Sequence, residues 1–246
     1  MKKILLTIQY NGEHFHGWQK QPNKPTVQEV LENAISFLLK ENITLYASGR
    51  TDSGVSAFKQ TAHFETSSNF DVKKLAQAIN ANINQNISVL SAKYVNNNFH
   101  ARFSVKKKTY LYKTYASQTT CPILEKSAVK VSENILENLE NIKEASKHFL
   151  GTHNFLAFCA SRTDAKDFVK TIYEIKIKKQ KNSIDFYITG SGFLYNMVRI
   201  IIGTLIAVGE GKILPENIPE IIKSQERKNA GKTMPAKGLY LFDVKY

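Results

Sequence analysis

The chain has 246 residues, 42% of them hydrophobic, enough for one large domain or two small ones with ordinary cores. Its 34 lysines and arginines outweigh 21 acidic residues, and the net charge of +13 points to a polyanionic partner, nucleic acid first and an anionic membrane surface second. No secretory leader, membrane span or disulfide framework is expected: the longest apolar run, around 197–208, is interrupted by Arg199 and Gly203, and Cys121 and Cys159 read as reduced thiols of a cytosolic protein.

Ile4 to Tyr10 alternates as a strand, and Asn11-Gly12 turns the chain into a loop holding Trp18, whose ring is read as packing. Thr26 and Glu29 form a capping-box pattern ahead of a helix whose Val27, Val30, Leu31, Ala34, Ile35, Leu38 and Leu39 recur at helical spacing. Strands are expected over 43–47 and 60–65, a helix capped by Asp71, and a strand over 87–95. The second half repeats this order: a strand over 109–116, a helix over 134–150, strands over 170–178 and 184–189, a helix over 194–208 that is apolar nearly all round and therefore buried, and a closing strand over 239–244. Insertions are expected over 117–132 and 152–169, with a helical piece over 216–225. The fold class is thus α+β, two ferredoxin-like βαββαβ halves around a central basic cleft, divided as 1–104 and 105–246 across a short basic linker at 104–108.

Four stretches carry chemistry. Ser48 to Val55 is a loop bracketed by Gly49 and Gly54 that holds Arg50 and Asp52. A carboxylate in a tight loop beside a guanidinium stays ionised and can act as nucleophile or base. Phe99-His100-Ala101-Arg102-Phe103-Ser104, running into Lys106 to Lys108, interleaves aromatics with positive charge and suits a phosphate backbone. On the 109–115 strand, Tyr110 and Tyr112 share one face and offer rings for stacking. Arg199 stands in the apolar helix that follows Gly190 and Gly192. A buried unpaired charge is very costly, so Arg199 is expected to meet an anion, with Asp52 the candidate inside the protein. The scattered histidines give no metal-ligand spacing, and P-loop and serine-triad signatures are absent from the sequence.

Taken together, Gly17-Trp18-Gln19, Gly49 to Val55, Phe99 to Phe103, Tyr110-Leu111-Tyr112, Gly192 to Arg199 and Gly238-Leu239-Tyr240-Leu241 resemble, in order and spacing, the tRNA pseudouridine synthase A family along nearly the whole chain. The resemblance implies isomerisation of uridine to pseudouridine on the 3′ side of the tRNA anticodon stem-loop, without cofactor or metal, by a cytoplasmic homodimer. It implies Asp52 as the catalytic aspartate, Tyr110 as the ring stacked on the target base, Arg199 as the partner of the carboxylate and Arg50 as a holder of the flipped nucleotide. The alternatives are a non-catalytic tRNA-binding or folding protein, or a paralogue with a different RNA target. Two departures bear on the latter: Ser56 stands where the family commonly has His, which is expected to alter how the loop holds RNA or its own fold, and Met234 stands where a smaller residue is usual.

Overall fold

The computed structural model describes residues 1–160 and 167–246. It is a mixed α+β structure, its strands mostly antiparallel, and its contacts resolve into two compact units: Met1–Lys106 with Tyr240–Tyr246, and Lys107–Leu239.

In the first unit β1 (Lys2–Tyr10), α1 (Val27–Leu39), β2 (Tyr46–Ala47), β3 (Ser56–Thr66), α2 (Val72–Asn80) and β4 (Ile87–Val95) follow in the expected order. The strands lie as β4-β1-β3, with β2 antiparallel on the remaining edge of β3, the split βαβ arrangement. Register explains the core. Ile4, Leu6 and Ile8 pair with Phe64, Ala62 and Gln60, so these side chains share one face. That face is fully buried, as are Leu31 and Ile35 of α1 and Leu75 and Ile79 of α2. Each such aliphatic side chain contributes about 1.5–3 kcal/mol by leaving water. The opposite face carries Lys3, Thr7, Thr61, His63 and Glu65.

Two local expectations are corrected. Thr26 occupies the N-cap of α1 in extended conformation, but its side chain makes no capping bond and its buried Oγ1 has no partner. Backbone carbonyls do the capping instead: Gly17 O accepts from Val27 N and Trp18 O from Gln28 N, so the preceding loop is fastened to the helix start. The strand expected over 43–47 pairs only at Tyr46 and Ala47. Upstream, the Ile43 and Leu45 N–H groups donate to Ser36 Oγ and Glu32 Oε1 of α1, which takes them out of a ladder. Asp71 caps α2 as expected, accepting from Lys73 N.

The second unit contains β5 (Lys107–Ala116), β6 (Val129–Val131), α3 (Asn134–Glu137), α4 (Leu139–Lys147), β7 (Gly151–Asn154), β8 (Val169–Gln180), β9 (Ser183–Gly190), α5 (Met197–Gly209) and α6 (Ile218–Ser224). Strands β5-β9-β8-β7 are antiparallel neighbours, and β6 runs parallel to β5. The helix expected over 134–150 is broken at Asn138, whose side-chain amide donates to Gly209 O at the end of α5. α5 is buried at every position but Arg199 and Ala207, as its apolar composition requires. The 117–132 insertion supplies β6, and the 152–169 insertion includes part of β7 and a short turn at Leu156–Phe158; its residues 161–166 lie outside the described residues. The final strand, β10 (Leu239–Lys245), runs parallel to β3, with Tyr240 opposite Ser56.

Candidate active site

The Asp52 loop joins β2 to β3, and its shape follows from anchors on three sides. Ser48 N donates to Thr61 O and Trp18 N donates to Thr51 O. Gly54 N donates to Phe15 O, and Val55 N closes a turn onto Asp52 O. Beneath them the Tyr10 hydroxyl and Thr51 Oγ1 are 2.7 Å apart. Burial lifts the Tyr10 pKa above its ordinary value, against the opposing hydrogen bonds to Thr51 and Gln60, so it remains a neutral phenol at physiological pH. Trp18 is 1% exposed and packs beside Tyr10, as the packing reading expects. The outcome is a buried Thr51 followed by a half-buried Asp52 at the loop's turn. Arg50 is exposed, and its Nε donates to Gln19 Oε1 at 3.0 Å.

Two further residues shape this site, and the first was not singled out as functional by its sequence context. Gln60 is fully buried; its Nε2 donates to Gly49 O, and its Oε1 accepts from Ser48 Oγ and Thr61 N. It therefore ties both backbone and side chain of the loop's entry to β3. Gln60→Leu keeps the volume but removes these partners inside the core, at about 1–3 kcal/mol for each buried group left unsatisfied. We expect a loss of about 3 kcal/mol, read as a drop of roughly 6–12 °C in Tm by calorimetry. A variant melting within a degree of wild type shows that Gln60 does not brace the loop. Ser56 is the second. Its Oγ accepts from Gly12 N at 2.9 Å in a buried position, so this departure from the family pattern serves the fold next to the loop.

In the second unit Tyr110 lies on β5 opposite Ile188, half-buried, with the Phe193 ring perpendicular to it at 5.1 Å. Tyr112 is wholly buried and donates its hydroxyl to Pro235 O at 2.7 Å. Burial raises its pKa, with the Arg199 charge a smaller opposing influence, so it holds the chain at Pro235 as a neutral donor. The adjacent Met234 places Arg199. Met234 O accepts from Arg199 Nε and Met234 N donates to Arg199 O. Asn196, in left-handed conformation at the start of α5, accepts from Arg199 Nη1 at 2.7 Å through Oδ1, a conformation Asn tolerates better than most residues. These bonds orient the Arg199 guanidinium through its Nε and Nη1 donors. The Met234 side chain is 1% exposed and packs inside; its contribution to Arg199 comes from the backbone, which any residue but proline can supply. Among the described residues no cluster of three or more His, Cys, Asp or Glu could hold a metal ion.

The family model for tRNA pseudouridine synthase, a class of RNA-modifying enzyme, matches residues 6–104 and 145–246. tRNA pseudouridine synthase A of Acetivibrio thermocellus is 43% identical over 246 residues, spanning all of both chains. The proteins of the same name from Bacillus licheniformis and Bacillus subtilis are 44% and 42% identical over 246 residues, with 99% of each chain covered. The chain belongs to the tRNA pseudouridine synthase family.

Proposed function

We propose that this protein isomerises uridine to pseudouridine in the anticodon stem-loop of tRNA, with Asp52 as the catalytic carboxylate. The observation that carries the reading is the bracing of Asp52 by Trp18, Tyr10 and Phe15 on either side of it. A carboxylate held in this way meets the reacting nucleotide without first paying for its own ordering. The bond from uracil N1 to the ribose C1′ breaks, the ring turns, and a bond from C5 to C1′ forms. The C5 proton is lost and N1 ends protonated. Product and substrate are isomers, so no electrons enter or leave and the balance calls for no redox cofactor. Tyr110 stacks on the target base, Arg50 holds the flipped nucleotide, and Arg199 supplies a directed guanidinium to the substrate site. Flipping a base from the stack costs roughly a few kcal/mol, and lysine and arginine contacts to phosphate offset it. The enzyme works as a cytoplasmic homodimer; among the described residues no helix is long and apolar enough to cross a membrane.

The test is release of tritium from C5-labelled uridine in an unmodified tRNA transcript. Release that rises with enzyme and stops near one equivalent per modifiable uridine supports the reading. tRNA that binds without any release makes the protein a binding or folding factor.

A further inference from the structure

The turn after β4 lies outside the Asp52 loop, yet it is pinned by several hydrogen bonds and displays an exposed aromatic ring. Ala101 is completely buried, and both its backbone groups are used: its N–H donates to His63 Nδ1 at 3.1 Å, and its carbonyl accepts from the Tyr246 hydroxyl at 3.0 Å. Arg102 N donates to His100 Nδ1, Ser104 N to His100 O, and Lys3 Nζ to Asn97 O and Phe99 O. Burial, helped by His100 and Lys3, lowers the His63 pKa to about 4, which fits a neutral ring accepting at Nδ1.

What this turn displays is a column of rings that ends in solvent. Tyr46 stacks on His63 at 5.3 Å, His63 meets His100 edge-on at 4.7 Å, and His100 lies 4.4 Å from Phe103 at a 32° tilt. The inner ring, His63, is 2% exposed, whereas Phe103 is 76% exposed. The exposed Arg102 carries its guanidinium 5.7 Å from the Phe103 ring, and exposed Lys106 follows two residues after Ser104. A large ring kept in water on a turn that cannot collapse, with cations beside it, is the arrangement that takes a nucleobase and its phosphate with little ordering cost.

We propose that the 99–104 turn is a second RNA-binding element: an unpaired base of the substrate RNA stacks on Phe103, continuing the ring column, and an adjoining phosphate pairs with Arg102. The occupant is taken as RNA because the exposed groups around the ring are cationic and the chain carries +13 overall. The proposal rests on the tRNA reading above, but its residues are not those of the Asp52 loop.

The experiment measures Kd for an unmodified tRNA transcript by filter retention across a salt series, for wild type, Phe103→Ala, Phe103→Trp and Arg102→Ala. Stacking of one base sets the expected loss for Phe103→Ala at about 5- to 150-fold in Kd, with Phe103→Trp near wild type. Arg102→Ala is expected to flatten the slope of log Kd against log salt by about 0.7, one single-strand phosphate. With the ring so exposed, Tm of all three variants should match wild type. A Phe103→Ala Kd within twofold of wild type overturns the proposal. So does a change in sedimentation of the free protein at unaltered Kd, which makes the turn a self-association surface. Tritium release is followed in parallel: Phe103-dependent binding without release supports this element and removes the isomerase reading, whereas release by wild type with Phe103-independent binding does the reverse.

Discussion

Asp52→Asn is expected to lower tritium release from C5 of uridine by at least about 10³-fold, while tRNA Kd stays within about tenfold of wild type, or 1.4 kcal/mol. The substitution is nearly isosteric, and several of the loop's anchors do not involve the carboxylate. These anchors run through Thr51 O and Oγ1, Gly54 N, Ser48 N and Gln60, so the backbone around residue 52 should keep its course. What is lost is the negative charge and the nucleophilic or basic oxygen. Affinity for RNA, by contrast, comes from cations and rings distributed over the chain, and removing a negative charge should if anything favour a polyanion. Calorimetry supplies the control, because a carboxamide in a half-buried turn should move Tm by only a few degrees. Turnover near the wild-type rate would remove Asp52 from the chemistry. A collapse of both turnover and Tm would instead make it a structural residue of the loop.

Much of this architecture is legible in the sequence because the determinants are local. The period-two run from Ile4 and the helical spacing from Val27 to Leu39 each specify one buried face, and the structure buries those faces. Expectations failed where one element answers to another distant in sequence. The Thr26 and Glu29 pattern looks like a capping box, but the carbonyls of Gly17 and Trp18 reach the helix start first. Residues 43–45 read as strand, but Ser36 and Glu32 hold their N–H groups. Within the site, Asp52 and Arg50 stand out in sequence because paired glycines frame charged residues. Gln60 looks like an ordinary polar strand residue until its three partners are seen, and Ser56 gives no hint that it answers Gly12 N–H. Met234 is more instructive still: its role toward Arg199 passes through backbone atoms, which residue type does not record.

Gly17→Ala is the substitution expected to couple fold and site most strongly. Gly17 has φ near +88°, and a Cβ there would fall 2.5 Å from Thr51 O and 3.1 Å from the Asp52 carbonyl carbon. The left-handed backbone costs an L residue about 1–3 kcal/mol. Overpacking against backbone adds about 1–3 kcal/mol more, since no flexible side chain can swing aside. Together these predict a Tm lower by about 5–20 °C. Relief by movement is restricted on the other side, where Gly17 O caps Val27 N of α1. The part left to yield is the segment from Thr51 to Ser53. A displacement of about 1 Å at that point is worth on the order of 10² in rate, so turnover should fall at least that far even at temperatures where the variant is folded. Gly211→Ala separates the two causes: its φ is +73°, but a Cβ there meets nothing within 4 Å. It should show the backbone cost alone, with turnover intact. If Gly17→Ala behaves like Gly211→Ala in both Tm and turnover, the contact between Gly17 and Thr51 does not position Asp52. If it loses turnover well beyond what its stability explains, the start of α1, the Gly17 loop and Asp52 form one mechanical unit.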